Sequence, residues 1–180
     1  MLSIITAPNP VLSAKAKQVV KVDKTILDLV KDMEEALDAA TDPIGVGLAA
    51  PQVGKSLAIF VIKSSPKAKL QAFINPKITK IEKPMNKKAK SKCKKLEGCL
   101  SLKDIWGEVE RANTVWLEYM DEQGKQHHKK FNGFIATIIQ HEVDHLNGIL
   151  FPKRVLEQKG TLYESKKNSK GEDIFEELTI

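Results

Sequence analysis

Residues 132–148 read NGFIATIIQHEVDHLNG, a stretch in which apolar side chains recur at helical spacing. The apolar positions are Ile135, Ile138, Ile139 and Leu146. Intervals of three and four residues place side chains on one face of an α-helix. Asn132 is a residue type that caps helix starts, and Asn147-Gly148 is a typical helix stop. The pattern therefore predicts a helix from about Gly133 to Leu146.

The polar half of this helix carries the pattern His-Glu-x-x-His at residues 141–145. Residues four apart lie one turn apart on the same face, so His141 and His145 can converge on one metal ion. The carboxylate of Glu142 would then reach a water molecule whose pKa the ion lowers to about 7, which is hydrolytic chemistry. The alternative is a helix that presents two histidines without a metal. Burial on an apolar helix would leave those imidazoles short of hydrogen-bond partners, which favours the metal.

A catalytic tetrahedral site needs a third protein ligand beside the two histidines. Downstream of the motif there is no histidine, and the chain offers the carboxylates Glu157, Glu164, Glu172, Glu176 and Glu177. Upstream, residues 97–101 read EGCLS, and Cys99 could supply a thiolate that a metal would keep deprotonated. The competing interpretation of Cys99 is a small buried apolar residue. The residues alone leave the third ligand open.

The rest of the chain predicts a second helix and several short strands. The helix runs from about Lys24 to Ala40 with Asp23 as its cap, because its apolar residues again follow helical spacing. Residues 45–54 are too rich in glycine and proline for the interior of an element and are predicted as a loop. β-Branched and aromatic runs predict strands at residues 57–62, 72–76, 78–81, 114–119 and 125–131, the last two forming a hairpin. We therefore predict one α+β domain.

Composition agrees with a single domain spanning residues 1–180. Of these 180 residues, 42% are hydrophobic and 29% charged, and no apolar run approaches the roughly 18 residues of a membrane span. The two cysteines are too few for a disulfide scaffold, so we expect a cytoplasmic protein. Residues from about 158 to 180 are predicted as a polar C-terminal extension with a late hairpin around residues 169–171.

The net charge of +6 raises the question of an acidic partner. Much of the excess lies in a Lys-rich stretch at about residues 83–95, which has almost no bulky apolar residue. Aromatic residues that could stack on bases are not interleaved with its lysines. A solvated loop therefore explains this stretch better than a nucleic-acid surface.

Three stretches of the chain, in this order, resemble the peptide deformylase family. They are GVGLAAPQ at residues 45–52, EGCLS at residues 97–101 and QHEVDHLNG at residues 140–148, and the resemblance runs from about residue 5 to residue 154. It implies an α+β fold of mixed, mostly antiparallel strands packed around a central metal-binding helix. It also implies hydrolysis of a non-peptide amide C–N bond, in which the N-formyl group is removed from the initiator formyl-methionine of nascent polypeptides and formate is released.

Carried over position by position, the resemblance implies a complete catalytic site. The implied metal ligands are Cys99, His141 and His145. Glu142 would be the general acid and base, while the side-chain amide of Gln52 and the backbone N–H of Leu100 would stabilise an oxyanion. Family members typically hold Fe²⁺, and Zn²⁺, Ni²⁺ or Co²⁺ can occupy the site, which suits a donor set of one thiolate and two imidazoles. We therefore expect one divalent ion, with Fe²⁺ as the first expectation.

The same resemblance implies that the substrate is an extended peptide. Gly45, Val46 and Gly47 would pair with its backbone like an added strand, with the glycines permitting close approach. The implied pocket for the methionine side chain consists of Val46, Trp106, Phe134 and Ile138. Phe134 and Ile138 are equally explained as ordinary core residues. The expected partners are N-formyl-methionyl nascent peptides, with transient proximity to the ribosome, and neither a nucleic acid nor a membrane.

Two further features concern the surroundings of the site. Glu97 and Arg111 match positions that would pair and steady the Cys99 loop, and a surface ion pair is the alternative. After Ser101, many relatives have a small aliphatic residue and a proline, whereas this chain continues with Leu102-Lys103-Asp104. We therefore expect the wall of the substrate cleft to be shaped differently here.

Two other functions stay open at this stage. A generic metalloprotease would use the same helix motif with a different third ligand, and a basic RNA-binding protein would hold any metal for structural reasons. Formate release from a formyl-methionyl peptide is expected from the deformylase hypothesis alone.

Overall fold

In the computed structural model, which describes residues 2–65, 67–82 and 96–179, helices pack on both faces of an antiparallel sheet. The Lys-rich loop predicted at residues 83–95 lies outside the described residues. The described α-helices are α1 (Lys24–Asp38), α2 (Gly133–Leu146) and α3 (Phe151–Glu157). None of these three is long and apolar enough to cross a membrane.

The strands form two sheets. The first sheet consists, in spatial order, of β1 (Gly47–Ala49), β2 (Ile59–Ile62), β3 (Gln71–Glu82), β6 (Thr114–Met120) and β7 (Gln126–Asn132). The second consists, in spatial order, of β4 (Leu96–Cys99), β5 (Leu102–Glu108), β8 (Leu162–Lys167) and β9 (Asp173–Glu177). Each pair of neighbouring strands is antiparallel. The predicted α+β class with mostly antiparallel strands around a central helix is confirmed.

Helix α2 is held in place by its apolar face. Its buried apolar residues are Ala136, Ile138, Ile139 and Leu146. They share one core cluster with Phe60 and Phe73, whose rings stack at 4.7 Å between centroids. Full burial of an isoleucine or phenylalanine contributes roughly 1.5–3 kcal/mol, so packing fixes this helix more firmly than helix propensity does. The polar side chains of α2 are therefore positioned by the core beneath them.

Helix α1 packs on the opposite face of the first sheet. Successive side chains of a strand point to opposite faces, so Phe60 of β2 faces the α2 core while Ile59 faces the α1 core. The carboxylate of Asp23 caps α1 by accepting a hydrogen bond from the Ile26 N–H at 3.2 Å. The predicted start and cap of α1 are confirmed, and the helix ends at Asp38, slightly before the predicted end.

The stretch rich in glycine and proline is more regular than the predicted loop. Residues 47–49 form β1, because all three are buried and pair with β2, and residues 50–53 form a short 3-10 turn. The strands predicted separately at residues 72–76 and 78–81 are one strand, β3. This strand passes Pro76 by shifting its register against β6 between Ile74 and Lys77.

The start of α2 also differs in detail from the prediction. Asn132 precedes the helix, but its side chain makes no capping hydrogen bond. Its Oδ1 instead accepts a hydrogen bond from Thr114 Oγ1 at 2.8 Å, which ties the end of β7 to the start of β6. Gly148 follows the helix with a φ of 69°, as the predicted helix stop requires.

The second sheet contains most of what the sequence did not predict. Neither β4 nor β5 was expected, and β4 matters most because Cys99 is its last residue. The C-terminal hairpin is present, with β8 and β9 joined through the predicted turn around residues 169–171. It adds to β5, so the polar extension continues the sheet that carries Cys99.

Candidate metal centre and substrate cleft

Cys99, His141 and His145 converge although they come from different elements. Cys99 ends β4, while the two histidines lie one turn apart on α2. Cys99 Sγ is 3.2 Å from His145 Nε2, and His145 Nε2 is 3.2 Å from His141 Nε2. Their ligand atoms all lie within 4.8 Å of one another. The structure therefore brings together the three side chains that the resemblance names as ligands.

The three donors fit a tetrahedral metal ion. Bonds of about 2.0–2.1 Å to nitrogen and about 2.3 Å to sulfur place neighbouring donor atoms about 3.3–3.6 Å apart. The observed separations of 3.2 Å are close to these values. Burial holds the pKa of His145 well below its usual value, which favours the neutral form that a metal ligand needs. Although burial opposes it, the contacts with Cys99 and Glu97 raise the pKa of His141 well above its usual value, and a bound cation would oppose that shift by repelling the proton. Chemistry and spacing therefore both suit one divalent ion.

Glu97 orients one of these candidate ligands. Its Oε2 lies 3.2 Å from His141 Nδ1, which turns the Nε2 of that ring toward the other donors. Arg111 holds the same carboxylate with two hydrogen bonds, from Nε at 2.8 Å and from Nη2 at 2.9 Å. Although burial opposes ionisation, the bonds from His141 and Arg111 lower the pKa of Glu97 to about 2. The Arg111 and Glu97 side chains are only 9% and 14% exposed, so the alternative of a surface ion pair is wrong.

Arg111 also connects this pair to a second carboxylate. Its Nη1 donates to Asp144 Oδ2 at 2.6 Å, and Arg154 of α3 donates to the same carboxylate at 2.7 and 3.1 Å. The network thus joins β4, α2 and α3 through alternating charges. The sequence analysis did not predict the partners of Asp144. The available signal was the position of this carboxylate, about one turn after His141 on a helix with an apolar face.

Glu142 faces the cleft from a buried position. It is 3% exposed, and its Oε2 has no hydrogen-bond partner among the described residues. Burial raises the pKa of this carboxyl group to about 7. Gly47 of β1 lies directly against it, since a Cβ atom there would be 2.8 Å from Ile138 Cγ2 and closer still to Glu142 Oε1. The close approach of β1 to α2 at this point therefore requires glycine.

Gln52 is fixed so that its amide nitrogen points toward Cys99, one of the candidate ligands. Its Oε1 accepts a hydrogen bond from the Ala49 N–H at 2.8 Å, which assigns the orientation of the buried amide. Its Nε2 then donates to Ser101 Oγ at 3.2 Å and approaches Cys99 Sγ at 3.5 Å. Leu100, directly after the thiol, lines the same cleft.

A cavity of about 240 Å³ opens beside these groups. Gly45, Gly47, Glu142 and the residues of the expected methionine pocket line it, namely Val46, Trp106, Phe134 and Ile138. Ile138 is buried at 4% exposure, whereas Phe134 is 60% exposed, which places it at the rim rather than in the core. The Trp106 ring lies against Gly98, where a Cβ atom would be 2.8 Å from Cζ3.

A thiol and two helix-borne imidazoles that could hold a metal ion lie beside a buried carboxylate in one cleft, which is an arrangement suited to a hydrolytic enzyme. The sequence model of the polypeptide deformylase family matches residues 1–160. The chain therefore belongs to the polypeptide deformylase family. Its activity is the removal of the N-formyl group from the initiator formyl-methionine of nascent polypeptides, with release of formate.

Individual relatives support this assignment. The chain is 43% identical to the peptide deformylase of Pseudothermotoga lettingae over 143 residues, which is 79% of this chain and 76% of the relative. It is 39% identical to that of Borreliella burgdorferi over 150 residues, 83% of this chain and 85% of the relative. The crystal structure of the Thermotoga maritima enzyme superimposes with a TM-score of 0.75 at 35% identity, covering 86% of this chain and 97% of that one. The Synechococcus elongatus enzyme, crystallised with actinonin, has a TM-score of 0.75 at 34% identity, with 86% and 78% covered.

Proposed function

We propose that this chain deformylates its substrates as a metal-dependent hydrolase in which Cys99, His141 and His145 hold one divalent ion. The observation that carries the proposal is the convergence of their donor atoms, at 3.2 Å, next to the buried Glu142, whose Oε2 has no hydrogen-bond partner in the part of the chain that the structure describes. When bound, such an ion acts as a Lewis acid that polarises a carbonyl oxygen and lowers the pKa of water. The mixed donor set suits Fe²⁺, which the family resemblance favours, and also Zn²⁺, Ni²⁺ or Co²⁺.

Glu142 moves the proton. Its Oε2 accepts a proton from the attacking water as the new C–O bond forms at the formyl carbon. It then donates that proton to the amine nitrogen as the formyl C–N bond breaks and formate leaves. A pKa of about 7 suits both transfers near neutral pH.

Gln52 and Leu100 stabilise the charge that develops on the formyl oxygen. The Ala49 N–H holds the Gln52 amide, so its Nε2 stays directed at the cleft. The proton that approaches Cys99 Sγ at 3.5 Å is the one that turns to the oxyanion in this proposal. The Leu100 backbone N–H is the second donor in this proposal, since Leu100 directly follows Cys99 and lines the cleft.

The substrate peptide binds along β1. This strand is the edge of the first sheet, so its outer side is available to pair with an extended chain. Gly45, Val46 and Gly47 line the cleft at this edge, and the methionine side chain enters the apolar cavity between them and α2. We further propose that residues 1–180 act as one catalytic domain in the cytoplasm, on nascent peptides and in transient proximity to the ribosome.

The test is formate release from formyl-Met-Ala by protein purified anaerobically and analysed for bound metal. Glu142→Gln should keep the metal and lose roughly 10²–10⁴ in kcat, because proton transfer is removed while the ligands stay. Glu118→Gln, which changes an exposed carboxylate on β6, serves as the matched control and should behave like the unchanged protein. Near-normal turnover of Glu142→Gln would remove Glu142 from its proposed role.

A second variant separates this site from that of a generic metalloprotease. Cys99→Ser replaces the thiolate with a weaker ligand and should lower both bound metal and turnover. Full metal content together with intact activity in Cys99→Ser would show that the third ligand lies elsewhere.

A further inference from the structure

The N-terminal arm, residues 2–8, makes backbone hydrogen bonds to two segments of the site. The Ile5 N–H donates to the backbone oxygen of Gln52 at 2.8 Å. Two residues further on, the Ala7 N–H donates to the backbone oxygen of Ser101 at 2.9 Å. Gln52 lies in the 3-10 turn that follows β1 of the first sheet, and Ser101 lies between β4 and β5 of the second. The arm therefore joins the two sheets at the site.

The arm also closes a ring of hydrogen bonds. Gln52 Nε2 donates to Ser101 Oγ at 3.2 Å, so the two residues that the arm binds through their backbones also bind each other. Gln52 and Ser101 are 2% and 0% exposed. A buried polar group that loses its partner cannot replace it readily with water, which makes each bond of the ring costly to break. The side chains and the arm together fix the separation of Gln52 from Ser101.

Apolar contacts hold the arm in place on both sides of these bonds. Leu2 and Ile4 pack against the core between α1 and the first sheet. The Ile5 side chain lies over the end of the 3-10 turn, where a Cβ atom on Gly54 would be 3.1 Å from Ile5 Cδ1. Leu12, which follows the arm, is fully buried. The two donor N–H groups are therefore held by packing before and after them in the chain.

We propose that the N-terminal arm positions the oxyanion site, with the Ile5 N–H holding the Gln52 amide where negative charge develops. The proposal rests on the proposed function, because that function assigns the Gln52 side chain to the formyl oxygen. Hydrogen-bond donors stabilise a transition state most when they are oriented before the reaction begins. Ile5 is thus a positioning residue, which acts on the chemical step through Gln52.

The experiment is a double-mutant cycle on the full-length, metal-loaded enzyme with formyl-Met-Ala as substrate. Ile5→Pro removes the N–H that binds the Gln52 oxygen. It should lower kcat about 10- to 100-fold at unchanged KM and metal content, because a misplacement of about 1 Å can cost about 100-fold. The same change in Gln52→Ala should cost less than about threefold, since the group that Ile5 positions is then absent. A change that only weakened the fold would instead lower kcat by the same factor in both backgrounds.

Thr6→Pro is the matched control. Thr6 lies between the two donors, its side chain is exposed, and its N–H donates no hydrogen bond within the described part of the chain. This variant introduces the same ring into the arm without removing a bond to the site, so kcat should stay close to that of the unchanged enzyme. Equal losses of kcat in Thr6→Pro and Ile5→Pro would overturn the proposal. Equal factors for Ile5→Pro with and without the Gln52 side chain would overturn it as well.

Ile4→Ala repeats the test if Ile5→Pro does not fold. It shortens a side chain that anchors the arm on the α1 core and keeps every backbone donor. A loss of kcat that largely disappears in Gln52→Ala would support the positioning role. An unchanged kcat, or a loss by the same factor in both backgrounds, would count against it.

The Gln52→Ala enzyme separates this inference from the proposed function. If Gln52→Ala loses kcat while the variants of the arm do not, the positioning role of the arm alone is overturned. If Gln52→Ala turns over formyl-Met-Ala at the unchanged rate, the role that the proposed function gives to Gln52 is wrong. A lack of activity on every formyl substrate would overturn the proposed function itself.

Discussion

Arg111 offers the sharpest test of how the metal centre is supported. Arg111→Met keeps a long side chain but removes the donors that bind Glu97 and Asp144. Both carboxylates lie in a poorly solvated environment, with side chains only 14% and 9% exposed. The substitution therefore leaves two buried negative charges with fewer partners, which raises the free energy of the folded state because water cannot solvate these charges fully.

The size of the effect follows from the remaining contacts. Removing one partner of a buried ion pair typically costs about 3–5 kcal/mol. Glu97 retains its contact with His141, and Asp144 retains Arg154 at 2.7 Å, so the lower end of this range applies. We expect Arg111→Met to lower the free energy of unfolding by about 3 kcal/mol, equivalent to a fall of roughly 6–12 °C in Tm for a chain of this size.

The measurement is urea unfolding followed by circular dichroism, with the unchanged protein and each variant saturated by the same metal. Lys166→Met is the control, because Lys166 pairs with Glu176 on the exposed hairpin and its loss should leave the free energy of unfolding close to that of the unchanged protein. If Arg111→Met and Lys166→Met destabilise the protein equally, the buried network does not support the site as argued. Loading each variant with the same ion keeps metal loss from imitating a network effect.

Three further changes have defined outcomes. Gly47→Ala should lower kcat about 100-fold at normal metal content, because the new methyl group would displace the Glu142 carboxylate by close contact. An unchanged kcat would contradict the close approach of β1 to α2. Gln52→Ala should retain the metal and lose roughly 10²–10³ in kcat, whereas a parallel fall in metal content would show that Gln52 mainly serves Cys99. Removal of the metal by a chelator should abolish formate release and lower Tm, since an ion present at 100 to 1,000 times its Kd stabilises the fold by about 2.7–4.1 kcal/mol. Anaerobic addition of Fe²⁺ should restore both formate release and Tm. An unchanged Tm after removal would argue that the ion does not bind the folded site.

The features that were predictable from sequence are local ones. Helix α2 follows from apolar spacing within residues 133–146, and that spacing also places His141 and His145 one turn apart. The hairpin of β6 and β7 follows from two strand-forming runs around a glycine turn. From the residues alone Cys99 was one candidate for the third ligand, and only the family resemblance selected it, because 46 positions separate it from His145 and no periodicity connects them.

The features that escaped prediction depend on contacts between distant segments. Residues 96–108 mix charged, small and apolar types without regular alternation, so nothing local marks β4 and β5 as strands. Likewise, the sequence shows that Arg154 and Asp144 carry opposite charges, but only the packing of α3 on the second sheet brings Arg154 Nη2 to 2.7 Å from Asp144 Oδ1. Residues 45–54 were expected to be a loop because glycine and proline disfavour regular elements, yet burial of β1 outweighs that tendency.

The groups proposed for the chemistry lie away from the outer edge of the second sheet, and this separation affects how enzymes of this kind can diversify. The groups proposed for the chemistry lie on α2, at β1 and at the end of β4, whereas β9 is the outer edge of the second sheet. Residues can be added or exchanged at that edge without altering the spacing of the donor atoms. The outer edge of the second sheet can therefore change in sequence while the arrangement of the proposed hydrolytic centre stays constant.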